Sequence, residues 1–233
     1  MMYTEENIKS GQILLIDKPL KWSSFQAVNK LKWAIRKQFN LKKIKVGHAG
    51  TLDPLATGLL IICTGKFTKK IPELQGQIKE YTGTITLGAT RPSYDMETEI
   101  DQTFSVDHIS KEKIQSATKQ FIGEIDQLPP VFSALKKDGK RLYEYAREGK
   151  DVTINSRRIT IDTFEITDIN MPEVSFRVVC SKGTYIRSLA HDFGRELDSG
   201  AYLSSLRRTK IGDFNVDNAV TPDAFTEMLL SSN

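Results

Sequence analysis

The sequence predicts an α+β protein, with a central mixed, mostly antiparallel sheet flanked by helices. Three observations predict it. Strand patterns outnumber helical ones, they occur both singly and as a pair suited to a hairpin, and nothing in the 233 residues has the composition of a flexible linker. A chain of this length fits one large domain or two small ones. Without a linker, a single domain over residues 1–233 is expected.

The first strand falls at residues 12–17, where the apolar run Ile13-Leu14-Leu15-Ile16 ends in the turn signal Asp17-Lys18-Pro19. Ser23 and Ser24 each offer an N-cap to a helix whose apolar stripe is Phe25, Ala27, Val28, Leu31, Ala34 and Ile35. Lys42, Lys43 and Lys45 form a short basic run, by default a solvated face. A glycine-rich loop follows at 47–58, and Leu59 to Cys63 reads as the strand leaving it. Residues 79–88 alternate: Tyr81, Gly83, Ile85 and Leu87 face one way, and Thr82, Thr84 and Thr86 the other. Residues 91–103 are polar loop, and 110–121 are helical through Ile114, Ala117 and Phe121.

Gln127-Leu128-Pro129-Pro130 breaks the pattern. Residues 131–149 then interleave Lys136, Lys137, Lys140, Arg141 and Arg147 with Tyr143 and Tyr145, which suits either a solvated amphipathic helix or phosphate contacts with base stacking. Two antiparallel strands are expected at 158–169 and 173–180. After the Ser181-Lys182-Gly183 turn, Thr184 can cap a helix carrying Ile186, Leu189, Ala190, Phe193 and Leu197. Arg187 sits in its first turn, against the helix dipole, so another partner is expected for it. Leu206 opens a strand reaching Phe214, and Thr221-Pro222-Asp223 starts a last helix.

Composition narrows the function classes. Hydrophobic residues at 39% and charged residues at 27% are ordinary for a soluble globular chain. A net charge of +4 permits a polyanionic partner without demanding one. Cys63 and Cys180 end apolar runs and read as reduced, buried thiols. The amino terminus lacks the pattern of a signal peptide, and no apolar run has the length of a membrane span. A cytoplasmic location is expected, with no membrane partner. His48, His108 and His191 lack metal-site spacing, so no metal is expected. No phosphate-binding, dinucleotide-binding or serine-elbow motif is present.

The most distinctive stretch is Gly47-His48-Ala49-Gly50-Thr51-Leu52-Asp53-Pro54-Leu55-Ala56-Thr57-Gly58. Apolar residues on both sides root this loop in the core, and Pro54 disfavours the helical region for Asp53. One carboxylate is thereby presented from a stiffened backbone. It needs hydrogen bonds or a cationic partner if it lies near the core. On spacing alone it is a turn cap or a catalytic group.

Together these segments resemble the TruB family of tRNA pseudouridine synthases, from about Gln12 to Val220. The loop is similar to the family's Gly-His-x-Gly-Thr-Leu-Asp-Pro-x-Ala-x-Gly stretch, Lys79-Glu80-Tyr81 to its Lys-x-Tyr strand, and Pro129-Pro130-Val131-Phe132-Ser133-Ala134-Leu135-Lys136 to its Pro-Pro block. Ser181-Lys182-Gly183-Thr184-Tyr185-Ile186-Arg187 and Leu206-Arg207-Arg208 match two later blocks. Five matches in order are specific where each alone is weak. Three departures stand out: Ala49 where Thr is frequent, Lys21 where Gly is usual, and a loosely matching loop at 91–95.

The resemblance implies a pseudouridine synthase fold with an active-site cleft across the sheet. It implies conversion of uridine to pseudouridine in the T-arm loop of tRNA, at position 55, with the base flipped out and no cofactor. Asp53 matches the essential aspartate, as nucleophile or as base; Arg187 matches its guanidinium partner, and Tyr81 the residue stacked on the base. His48, Tyr185 and Leu206 match substrate-contacting positions; Lys18, the 136–141 cluster, Arg207 and Arg208 are expected at phosphates. The chain is expected to act without a protein partner, as a monomer, and without the small PUA-type domain of many relatives. The other functions weighed are an RNA-binding protein without essential chemistry and a guide-RNA-dependent synthase.

Overall fold

The computed structural model describes residues 3–231 apart from 134, 138 and 151, and leaves the side chains of Lys136, Ala146 and Arg147 outside the description. The chain divides into two compact units, one from Met1–Tyr81 with Arg207–Asn233, the other from Thr82–Leu206.

In the first unit the strands lie in the order Ile13–Lys18, Ala56–Thr64, Ala201–Ile211, Lys79–Leu87, the last two contributing residues 207–211 and 79–81. Ile13–Lys18 runs antiparallel to Ala56–Thr64, with Ile13 opposite Cys63 and Lys18 opposite Gly58. The short strand Val46–His48 pairs with the far end of Ala56–Thr64, Val46 opposite Thr64. Ala56–Thr64 is covered on both faces, which is why it reads as an unbroken apolar run. Leu60 and Ile62 meet the helix Ser24–Gln38 through Val28, Leu31 and Ile35, together with Phe225 and Leu229 of the helix Pro222–Leu230. Leu59, Ile61 and Cys63 join Ala49, Leu74, Ile211 and Val216 on the other face.

The expected N-caps resolve into different roles. Ser23 caps the Ser24–Gln38 helix in a reciprocal capping box with Gln26, and Thr221 caps the last helix. Phe25, placed on the apolar stripe by spacing, is 69% exposed. At about 100° per residue it points away from the buried face formed by Ser24, Ala27, Val28, Leu31, Ala34 and Ile35.

In the second unit the order is Ala201–Ile211, Lys79–Leu87, Glu173–Cys180, Arg157–Asn170, Gly123–Gln127. The expected hairpin is present, with Ile161 opposite Cys180 and Asn170 opposite Glu173. Arg157–Asn170 runs antiparallel to both Glu173–Cys180 and Gly123–Gln127, and isolated parallel bridges lie at Ile16–Val220 and Asp95–Leu203. Phe164 stacks edge-on against Phe193 and Phe176, at ring separations of 5.3 and 6.0 Å, and joins helix Ile186–Glu196 to this half of the sheet.

Some expectations shift. The helix expected over 110–121 is α-helical only at Lys111–Ala117, capped by Ser110, and tightens to a 3-10 turn at Thr118–Phe121. The strand expected from Leu206 already begins at Ala201. Residues 131–149 form a tight pair, Lys136–Lys137 with Lys140–Arg141, before a short helix Leu142–Arg147. The Ile186–Glu196 helix is preceded by Tyr185, while Thr184 Oγ1 donates to Ser181 O at 3.0 Å and stabilises the turn instead.

Candidate active site

The Asp53 loop is braced from three directions, all within the first unit. From below, Ala49 N donates to Ile61 O at 2.8 Å and continues the Val46–His48 ladder. Beyond it, Ala56 N donates to Asp53 O at 3.0 Å. The main-chain carbonyl of Asp53 thus takes part in closing the turn, and the residue is half-buried.

From the helix side, Ser24 Oγ accepts from Leu52 N at 2.9 Å and donates to Leu52 O at 3.0 Å. Both bonds are buried and fix the residue next to Asp53. Sequence reasoning missed this role. The available signal was the Ser23-Ser24 pair, of which only one member can be the N-cap.

From the Ala201–Ile211 strand, Arg208 is buried and places its guanidinium on three carbonyls: Leu59 O at 2.8 Å, Gly50 O at 3.1 Å and Thr51 O at 3.4 Å. These belong to both shoulders of the loop. Gly58 makes the approach feasible, since a Cβ there would lie 2.3 Å from Arg208 O and φ is +102°.

Lys18 is buried as well. Its Nζ donates to Trp22 O at 2.6 Å and Pro19 O at 3.0 Å, closing the turn into the helix. Burial pushes its pKa down to about 8, opposed by the Asp53 carboxylate and reinforced by Arg208. Alternation along the strands sends Asp17 and Arg207 to the opposite face. There they form a bidentate pair, at 3.0 and 2.7 Å.

Lys18 and Arg208, expected at phosphates, direct their ammonium and guanidinium to main-chain carbonyls. Arg207 is partly exposed but already engaged with Asp17. Of the 136–141 cluster, Lys137 Nζ donates to Thr153 O at 2.8 Å and Lys140 pairs with Glu148. The Lys136 side chain lies outside the described residues.

His48 is half-buried at the mouth of the same loop. Burial and then the Arg208 guanidinium hold its imidazole below the ordinary histidine range, against a backbone contact at Gly50. Tyr81 is 9% exposed and shares the buried face of its strand with Lys79, Ile85 and Leu87. Asp53, His48, Tyr81, Lys18, Arg207 and Arg208 thus all belong to the first unit.

Arg187, Tyr185 and Leu206 belong to the second. Arg187 is buried, and its guanidinium donates to Phe132 O at 2.9 Å and Ser93 O at 3.2 Å, with Asp95 Oδ2 at 3.6 Å from Nε. This explains how a first-turn arginine is tolerated against the dipole. Tyr185 is held by a two-way amide contact. Gln127 Oε1 accepts from its N–H at 2.8 Å and Gln127 Nε2 donates to its carbonyl at 3.0 Å. The Arg157 guanidinium lies 5.1 Å from the Tyr185 ring centre. Among the described residues there is no group of three or more His, Cys, Asp or Glu side chains able to hold a metal, and no helix long and apolar enough to cross a membrane.

Fold and site together define an α+β protein whose distinctive chemical group is a carboxylate on a rigidly braced loop. Comparison with known proteins gives that description a family. The model described as "TruB family pseudouridylate synthase (N terminal domain)" matches residues 36–186, and "tRNA pseudouridylate synthase B C-terminal domain" matches residues 187–233. A protein of Flavobacterium johnsoniae named tRNA pseudouridine synthase B is 66% identical over 97% of this chain and 99% of its own length. A protein of the same name from Phocaeicola vulgatus is 54% identical over 96% and 95%. Among solved structures, a chain of a Cbf5-Nop10-Gar1 complex matches with a TM-score of 0.68 and 32% identity, over 93% of this chain. This chain spans only 53%, about half, of that one. The chain belongs to the TruB family of pseudouridylate synthases.

Proposed function

We propose that the enzyme converts a uridine in the T-arm loop of tRNA, at position 55, to pseudouridine, with Asp53 as its essential catalytic residue. The observation that carries this is the pairing of two family matches across residues 36–233 with an Asp53 loop braced by buried donors. Bracing supports a catalytic assignment because a reacting group must be held near its attack geometry. The relatives from Flavobacterium and Phocaeicola bear the name of a tRNA enzyme, which supports tRNA as the substrate.

The reaction is an isomerisation. The bond from ribose C1′ to N1 of uracil breaks, the base turns, a bond from C1′ to C5 forms, and the C5 proton leaves as N1 gains one. Atoms balance without a co-reactant. Asp53 acts on the sugar or the base as an ionised carboxylate, and Arg187 is assigned as the guanidinium that keeps it so. A base within a folded loop must leave its stack to be reached. Tyr81 provides the stacking surface for it, His48 helps to hold the opened loop, and Tyr185 and Leu206 make further contacts to the substrate. The chain acts in the cytoplasm as a monomeric single catalytic domain, without guide RNA or protein partner.

Asp53→Asn tests this. Purified wild-type protein alone should form pseudouridine at position 55 of unmodified tRNA. The variant should bind the same tRNA with a Kd within about twofold and form none. Turnover by the variant removes Asp53 from the role. Failure of the wild type without added guide RNA would favour the guide-dependent alternative.

A further inference from the structure

The basic run Lys42, Lys43 and Lys45 is absorbed by none of the chemistry above. In the structure it joins other elements of the first unit. Among the described residues, a concavity of about 610 Å³ is lined by eight cationic side chains and no acidic one. Lys32 and Arg36 come from the Ser24–Gln38 helix, Lys66 and Lys69 from the 3-10 turn Gly65–Lys70, and Lys9 from the helix Glu5–Ser10.

Two facts make this more than a solvated face. The whole chain carries only four more cations than anions, yet eight cations line this one hollow. Lys9 is paired with Glu5, but none of the other seven has a carboxylate within 4.0 Å among the described residues. Like charges gathered without counter-charges destabilise the fold. A bound polyanion would relieve the repulsion.

Its position identifies which polyanion. Gly65 and Lys66 line the hollow and directly follow Thr64, the last residue of Ala56–Thr64. Asp53 is tied by its turn to Ala56, the first. Eight steps of extended chain separate the two ends by roughly 26 Å. A nucleotide everted at Asp53 cannot also occupy the hollow, whose cationic lining suits a separate stretch of phosphate backbone.

Resting on the proposed function, we propose that this concavity is a second RNA-backbone site, binding phosphates of the tRNA outside the T-arm. It gives the enzyme affinity for the whole folded tRNA that an isolated T-arm lacks.

The test compares Lys42→Gln with Lys43→Gln against a charge-matched control, Lys111→Gln with Lys119→Gln. All four lysines are exposed, so folding is not at stake. Kd is measured across salt concentrations for full-length unmodified tRNA and for an isolated T-arm stem-loop, and kcat at saturating tRNA. For full-length tRNA the concavity variant should bind about tenfold more weakly, with the slope of log K against log salt falling by about 1.5 to 2. Its stem-loop affinity and kcat should match the wild type, as should every property of the control. Undiminished full-length binding overturns the site, and so does an equal loss with the stem-loop or with the control. Wild-type turnover is measured alongside. A wild type that forms no pseudouridine refutes the function, whereas an active wild type with an unaffected variant refutes only the second site.

Discussion

Ser24 and Leu52 are joined by two buried hydrogen bonds through one hydroxyl, at 2.9 and 3.0 Å, across 28 residues of sequence. The pair ties the start of a core helix to the residue beside Asp53. Ser24→Ala leaves a buried N–H and C=O of Leu52 without this partner, and should cost about 1–3 kcal/mol. Single-turnover rates should also fall, because the loop loses a brace. Ser23→Ala is the contrast. It removes a helix cap for about 1 kcal/mol and should leave turnover unchanged. Urea unfolding and single-turnover assays on both variants check this.

Arg208 offers a sharper distinction between bracing and RNA contact. Lysine keeps the charge but cannot span Leu59 O and Gly50 O at once. Arg208→Lys should therefore lower kcat, by up to about 100-fold for a misplacement near 1 Å, while the Kd for tRNA and its salt dependence stay put. A phosphate-contacting arginine would give the reverse pattern.

Lys18 makes stability depend on pH with a definite sign. Its pKa is about 8 in the fold against an ordinary 10.5. Between those values the unfolded chain holds the proton and the folded chain has lost it, so this group makes stability rise with pH there. Below about pH 8 both states are protonated and the contribution is constant. The wild type should show an added slope of up to about 1.4 kcal/mol per pH unit in that window relative to Lys18→Met. Urea midpoints measured on both proteins across the window give the difference.

Lys21 adopts φ +66°, in the left-handed region that favours glycine, and its N–H donates to Pro54 O at 2.8 Å. Resemblance to the family marked this position as one where Gly is usual, and the backbone supplies the reason. Relief of about 1–2 kcal/mol of left-handed strain is partly offset by the entropy of glycine, about 0.5–1 kcal/mol. Lys21→Gly should be stabilising by up to about 1 kcal/mol, and Lys21→Val clearly destabilising, as read by thermal unfolding.

The elements legible in the sequence were those with strong local signals. The alternation from Lys79 to Leu87 and the hairpin about Met171 and Pro172 fell where expected, and the strand expected at Leu59 to Cys63 is present but begins three residues earlier, at Ala56. The strand from Ala201 was seen only from Leu206, because Ser204 and Ser205 blur its alternation and a helix ends just before it. Burial of Lys18 and Arg208 was not legible at all. A charged side chain reads as surface unless its partners are in view, and the carbonyls that Arg208 binds come from residues about 150 positions away. Asp53 was legible as a candidate because Pro54 and the surrounding glycines constrain the backbone locally. What braces it was not, because Ser24 and Arg208 arrive through tertiary structure.

The strand Ala56–Thr64 has its two faces buried in different clusters, Leu60 and Ile62 against one helix layer, Leu59, Ile61 and Cys63 against the other. Inserting or deleting one residue would exchange those faces wholesale. The gap between the Asp53 turn and the lysine-lined hollow can therefore evolve only in increments of two residues, about 6.6 Å. Evolution at this strand is quantised, and descendants of the chain inherit a fixed gauge.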